Sequence, residues 1–286
     1  MNKDVVLGVD IGGSHITAAL INIKNGCIID GSLQRSKVNA QGSAEEIISS
    51  WCKVMQASLG CADHAGKIAI AMPGPFDYHN GISYVKDLGK FDRLYGLNVK
   101  SLILEALNMP IENIVFINDA ACFLQGELYH GSVTDKRNVI GFTLGTGFGS
   151  ATSINGLAQD AEYWKYPFMG GTCETFFSSR WFVAKYQQYS GKAIMDVKTI
   201  IDEVEIAEPM LRVFDEFSMN LGAFLSKLHK QQSFECAVIG GNIAKASTLF
   251  LPQLQSYLQA RSVDFPIKIS KLGEDAALIG AACAIA

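Results

Sequence analysis

The chain has 286 residues, 49% of them hydrophobic and only 18% charged, a composition too apolar for a disordered protein and long enough for two domains. Its 24 Lys+Arg against 28 Asp+Glu give a net charge of −4 with no basic cluster, so neither a nucleic-acid nor an anionic-membrane partner is supported. No apolar run reaches the ~20 residues that span a bilayer. The N-terminus lacks a signal-peptide pattern, and the 7 cysteines are widely spaced with no CxxC, which predicts reduced thiols in a cytoplasmic enzyme.

Residues 4–10 read as a short apolar strand running into Ile11-Gly12-Gly13-Ser14, and 15–23 as a second strand. Asn25-Gly26 is a hairpin signal, which makes 27–33 the returning strand. An amphipathic helix is predicted at about 44–59, with Ser43 as N-cap and Glu46 completing a capping box. A buried strand at 67–72 ends at Pro73-Gly74-Pro75. A helix at 98–107, a strand at 113–117 and a helix at 119–129 follow.

The pattern then restarts. An apolar strand at 139–144 empties into Gly145-Thr146-Gly147-Phe148-Gly149, and a second strand at 148–154 ends at another Asn-Gly, Asn155-Gly156. Laying residues 7–13 on 140–146 matches strand, glycine turn, strand and hairpin turn in order, as two copies of one domain would. Helices at about 173–189 and 207–230, a strand at 235–239 into Gly240-Gly241, a helix at 244–259, a strand at 266–269 and a small-residue helix at 274–285 complete the chain. Strands and helices alternate, so the class is α/β with a duplicated core.

Three times, then, a buried strand ends in clustered glycines. Each alone is explained by a tight turn. Together, at the carboxyl ends of strands, they offer converging backbone N–H groups suited to nucleotide phosphates. No G-x-x-x-x-G-K-[ST] is present, and a strand rather than a helix follows the second cluster, so neither a P-loop nor a dinucleotide fingerprint is met.

The Val-Asp-Ile-Gly-Gly-Ser turn, the Leu-Gly-Thr-Gly-Phe-Gly turn and the Val-Ile-Gly-Gly-Asn segment resemble the two phosphate motifs and the adenosine motif of actin-like sugar kinases. Pro73-Gly74-Pro75, Ile117-Asn118-Asp119-Ala120-Ala121 with Gly126-Glu127, and the ending from Leu272 to Ala281 narrow the resemblance to the ROK family (repressors, open reading frames and kinases). It covers nearly the whole chain in order. It implies a duplicated actin-like (ribonuclease H-like) fold, α/β, with an interdomain cleft. The expected domains are 1–117, with the C-terminal helix at about 274–286 packing back on it, and 118–273. The implied activity is transfer of the γ-phosphoryl group of ATP to a hexose such as glucose or an N-acetylhexosamine.

On this resemblance ATP meets Asp10, Gly12, Gly13, Ser14, Gly145, Thr146, Gly147, Gly240, Gly241 and Asn242, with Asp10 holding Mg²⁺ directly or through water. Asp10 otherwise reads as a solvated turn residue. Asn118 and Asp119 match the family's sugar-binding asparagine and general base, although an N-cap role alone explains an Asp at 119. Gly74, Glu162 and Glu174 complete the implied sugar contacts. Glu174 otherwise reads as an acidic residue in a first helical turn, with Thr172 as cap.

The family pattern frays in one place. Where the resemblance calls for Glu-x-Gly-His, Trp164 stands at the glycine and Lys165 at the histidine. Lys⁺ only donates hydrogen bonds, so it either meets an anionic substituent of an unusual sugar or points to solvent. Cys173 is the only thiol in the region where the family carries a zinc cluster, so no zinc is expected. Lys86 and Lys90 flank Asp87-Leu88-Gly89 near the implied sugar contacts, or sit in a solvated loop. The stripe at 207–230 reads as core or subunit interface. Two other readings stand beside the kinase, a catalytically weak or inactive sugar-binding sensor and a phosphotransferase acting on a non-sugar acceptor; a repressor is not expected. Repressors of the family carry a DNA-binding domain ahead of a core that here begins at residue 4. Dimers are common for the resemblance.

Overall fold

Apolar strands fall into two sets, and each builds its own sheet. A computed structural model describes residues 4–61, 66–108, 113–202 and 208–285. The first set is β1 (Val5–Ile11), β2 (His15–Asn22), β3 (Cys27–Ile28), β4 (Gln34–Lys37), β5 (Ile68–Met72), the short pair β6 (Phe76–Asp77) and β7 (Ile82–Ser83), and β8 (Ile114–Asn118), with helices α1 (Ala44–Leu59), α2 (Val99–Leu107) and α3 (Asp119–Tyr129). The second is β9 (Val139–Leu144), β10 (Phe148–Ile154), β11 (Leu157–Asp160), β12 (Pro167–Phe168), β13 (Gly171–Thr172), β14 (Cys236–Gly240) and β15 (Ile267–Ile269), with α4 (Cys173–Phe177), α5 (Ser179–Ser190), α6 (Val197–Asp202), α7 (Glu208–Gln231) and α8 (Ser247–Gln259). A last helix, α9 (Ala276–Cys283), belongs with the first set.

The two sheets share one topology. The first runs β3-β2-β1-β5-β8 and the second β11-β10-β9-β14-β15. In both, the central strand pairs antiparallel with its successor and parallel with a later strand, which in turn pairs parallel with the last. The parallel strands β1, β5 and β14 are almost wholly buried, which is why they read as continuous apolar runs.

The chain divides into one unit up to Thr134 that also includes the residues from Glu274 onward, and a second from Asp135 to Gly273. The boundary expected after residue 117 therefore differs, because α3 belongs with the first unit. The reason is backbone contact with α9: a Cβ on Gly280 would stand 1.8 Å from the Cys122 carbonyl oxygen, and one on Gly126 2.2 Å from that of Ala276. A Cβ on Gly8 of β1 would likewise stand 2.5 Å from the Leu278 carbonyl oxygen. Small residues let α3, α9 and β1 approach to backbone distance.

In the first unit α1 starts with the expected capping box: the Ser43 N–H donates to Glu46 Oε2 at 2.8 Å, and the Glu46 N–H to Ser43 Oγ at 3.2 Å. Its Trp51 is fully buried, edge-on to Phe91 at 5.2 Å. In the second unit the apolar stripe of α7 (Val213, Phe217, Leu221, Phe224, Leu228) is core, packed with Phe142, Phe148 and Phe177. Residue 207, expected to open that helix, lies outside the described residues.

Two expected elements differ. The returning strand at 27–33 is broken after Ile28 by a turn containing Gly31 (φ 76°), with Ser32 Oγ buried and accepting from the Leu20 N–H at 3.1 Å; pairing with β2 resumes as β4. The helix expected at 173–189 is interrupted at Ser178, whose backbone is extended. The break frees the Ser179 N–H and hydroxyl, which both donate to the Gly145 carbonyl at 2.8 Å. No helix among the described residues is long and apolar enough to cross a membrane.

Candidate active site

In the first unit the strand register collects the predicted residues at one sheet edge. Asp10 pairs with Ala71, Ala71 with Ile117, and Met72 with Asn118. With strands ~4.8 Å apart, Asp10 and the start of α3 lie about 10 Å from each other at the backbone. Between them β5 ends at Met72 and passes into Pro73-Gly74. The Gly12-Gly13 turn joins β1 to β2 and is closed by the Gly12 N–H donating to the His15 carbonyl at 2.9 Å. Ser14 follows, exposed, its hydroxyl 2.9 Å from His15 Nδ1.

Asp10 and Asp119 sense each other. Burial pushes the Asp10 carboxyl up to about 7, the Asp119 charge adds to the rise and Arg35 opposes it. Burial also raises Asp119, against the charge of Lys90 and the Ala120 N–H that donates to Oδ1 at 2.8 Å. Two carboxylates in so little solvent are short of positive charge. Such a pocket suits Mg²⁺, which takes one or two carboxylates and completes its shell with phosphate oxygens and water.

The helix cap is Asn118, not Asp119. Asn118 Oδ1 accepts from the Ala121 N–H at 3.0 Å, while Asp119 is the first helical residue. The Asn118 Nδ2 donates to Tyr78 Oη at 3.1 Å, and Tyr78 in turn donates to the Met72 carbonyl at 3.1 Å. Tyr78 also stands over Gly74, 3.3 Å from where a Cβ would lie. Its role was not legible beforehand; a tyrosine three residues past Pro75 is a weak signal.

In the second unit the glycine clusters also share an edge, since Gly240 pairs with Thr143. Gly241 (φ 84°) lies so close to β9 that a Cβ would stand 2.4 Å from the Leu144 carbonyl oxygen. Asn242 begins the short helical turn that follows. The Gly145 N–H donates to the Gly147 carbonyl at 3.1 Å, leaving Thr146 exposed at the tip.

Glu174 is tied to this second turn. Its Oε2 accepts from the Phe148 N–H at 3.4 Å, and its Oε1 pairs with Arg180 at 2.6 Å. Thr172 occupies the cap position of its helix but makes no cap bond; its hydroxyl lies 3.1 Å from that of Thr175. Glu162 (φ 51°) caps a helical turn and pairs with Lys165 at 2.7 Å, and the same ammonium lies 5.9 Å from the centre of the Trp164 ring. Lys165 thus meets a carboxylate of its own chain. Neither Arg180 nor this pairing was read from the sequence, since both depend on how 160–180 folds back on β10.

Comparison with known proteins decides the family. The ROK family profile matches residues 6–161 and 167–286. This chain belongs to the ROK family. It is 24% identical to an N-acetyl-D-glucosamine kinase of Mannheimia succiniciproducens, over 97% of this chain and 98% of that one. A glucokinase of Halalkalibacterium halodurans is 23% identical over 96% of this chain and 92% of its own. Among solved structures, a ROK glucokinase from Streptomyces griseus in complex with glucose and AMPPNP superposes with a TM-score of 0.78, at 20% identity, over 97% of this chain and 98% of that one. The α/β fold with two like sheets is the fold of these ROK sugar kinases. The stretch the profile skips, 162–166, is the Glu162-Lys165 turn itself.

Proposed function

We propose that this ROK protein is an ATP-dependent sugar kinase, with a hexose such as glucose or an N-acetylhexosamine as acceptor and Asp119 as general base. The observation that carries the reading is the first unit's sheet edge: a half-buried aspartate opens α3 across one strand from a second aspartate beside a glycine turn. Asp119 Oδ1 is engaged by the Ala120 N–H at 2.8 Å, which leaves Oδ2 as the oxygen to meet the acceptor hydroxyl. Oδ2 takes the hydroxyl proton as the sugar oxygen bonds to the γ-phosphorus and the bond from that phosphorus to the β–γ bridging oxygen breaks, releasing ADP. Such a base is worth ~10²–10⁴-fold.

Asn118, held by its cap bond and by Tyr78, orients a neighbouring hydroxyl. Gly74, Glu162 and Glu174 are the further sugar contacts. The amides of Gly12, Gly13 and Ser14 in the first unit, and of Gly145, Thr146, Gly147, Gly240, Gly241 and Asn242 in the second, bind the nucleotide. Asp10 would hold Mg²⁺, directly or through water, and the ion would offset charge on the nucleotide phosphates. Both sugar-assigned glutamates already pair with a cation, Lys165 or Arg180. That favours, as a second reading, a sensor that binds sugar without turnover.

The test is ADP release from ATP and Mg²⁺ across neutral, N-acetylated and acidic sugars, with Asp119→Asn in parallel. Sugar-dependent turnover that falls ~10²-fold or more in the variant supports the kinase. Silence across the panel, with a sugar-induced thermal shift, supports the sensor.

A further inference from the structure

We infer that Lys90 is a further catalytic residue: its ammonium contacts the phosphoryl group in transit, between the Gly12-Gly13 turn and the hydroxyl held by Asp119. The inference rests on the kinase reading above.

The loop that carries Lys90 is otherwise solvated. Residues 86–89 are exposed, and Asp87 (φ 58°) and Gly89 (φ 68°) turn the chain back. At residue 91 the loop is anchored: Phe91 is fully buried against Trp51, and its N–H donates to the Ala40 carbonyl at 2.7 Å. This anchor fixes where Lys90 starts, and its half-buried side chain then runs across the glycine turn. Its Cδ lies 3.2 Å from where a Cβ on Gly13 would be. Past that point its charge acts on Asp119. The side chain thus lies along the glycine turn, with its charge in electrostatic range of the Asp119 carboxylate.

Two other cations of the first unit have partners of their own, although Arg35 also acts on Asp10. Arg35 pairs with Glu274 at 2.9 Å, and Lys86 sits 5.3 Å from the centre of the Tyr95 ring. Among the described residues no carboxylate lies within ion-pair distance of the Lys90 ammonium. In phosphoryl transfer, charge is spread over the three equatorial oxygens of the group in flight, and a fixed point charge beside them stabilises that arrangement more than it stabilises bound ATP. Lys90 moves no proton in this step; the hydroxyl proton goes to Asp119 and the leaving oxygen stays on ADP.

Lys90→Gln and Lys90→Arg in the full chain test this, assayed with ATP, Mg²⁺ and the best sugar of the panel, after circular dichroism confirms folding. Lys90→Gln is expected to lose ~10²–10³-fold in kcat, as removal of one oxyanion-hole donor does, with sugar KM within about threefold. Lys90→Arg is expected to recover part of the loss. Binding of ADP with aluminium fluoride and sugar, which mimics the flattened phosphoryl group, should weaken at least ~10-fold in Lys90→Gln, while binding of AMPPNP changes less than about threefold. Equal kcat in Lys90→Gln and wild type, or a rise in sugar KM alone, overturns the inference. A wild type that turns over no sugar overturns the kinase reading first, and this inference with it.

Discussion

Gly280→Ala adds one methyl group at a residue with no proposed substrate contact, and tests how the first unit holds Asp119. The new Cβ would stand 1.8 Å from the Cys122 carbonyl oxygen and 2.6 Å from the Gly126 nitrogen. A carbon and an oxygen in contact sit about 3.3 Å apart, so α3 and α9 must part by about 1.5 Å. Both obstacles are backbone, so no rotamer change relieves them. Overpacking of this kind costs roughly 1–3 kcal/mol, and the backbone clash points to the upper end. Alanine returns about 0.8–1 kcal/mol of helix propensity, leaving a net loss near 2 kcal/mol. In urea, followed by tryptophan fluorescence, that moves the midpoint by on the order of 1 M. Cys122 lies one turn past Asp119, so the same displacement tilts the start of α3. A shift of about 1 Å at a reacting group can cost ~10²-fold in rate. The control is Gly60→Ala, where the Cβ meets only ordinary contacts of 3.4 and 3.7 Å, and stability should stay within about 0.5 kcal/mol. Wild-type stability and turnover in Gly280→Ala would refute the reasoning.

Two further outcomes follow from the same edge. Asp119 must be ionised to accept a proton, and its carboxyl is raised above the ordinary 3.8, so turnover should hold above that raised value and fall as pH drops through it. Asp10 from β1 and Cys122 from α3 lie within the field of Asp119, and Lys90 from the loop is the charge that lowers it, so Lys90→Gln should move the acid limb of the pH–rate profile to higher pH, and an unmoved or lowered limb contradicts the geometry. Tyr78→Phe deprives the Asn118 amide and the Met72 carbonyl of a shared partner, with an expected loss of roughly 1–3 kcal/mol in stability and a rise in sugar KM larger than the fall in kcat. Unchanged KM and stability would remove Tyr78 from the site.

Much of the fold was readable because its causes are local. The Ser43-Glu46 capping box, the apolar runs of β1, β5 and β14, and the 3.6-residue stripe of α7 each depend on residues a few positions apart. The exceptions were also local in cause but weaker in signal. Gly31 and Ser32 break the returning strand, and Ser178 breaks a helix whose neighbours, Phe177 and Ser179, are themselves only middling helix formers. The restart of the motif at residue 139 was visible as pattern, and the two five-strand paths repeat it, with β4 an addition to the first sheet.

What the sequence alone determined is the order of elements, the glycine turns at strand ends, the α/β class and the family resemblance, since backbone sterics and hydrophobic periodicity are written in consecutive residues. Only the tertiary structure decided that Asn118 rather than Asp119 caps α3, that Glu174 turns to Arg180 and Glu162 to Lys165, that α3 stays in the first unit against α9, and that Lys90 lies along Gly13. Those outcomes depend on which unpaired donors, charges and Cβ-free surfaces the fold brings within a few ångströms. Residues 90 and 13, or 280 and 122, have no local reason to meet; packing against Trp51 and against β1 supplies it.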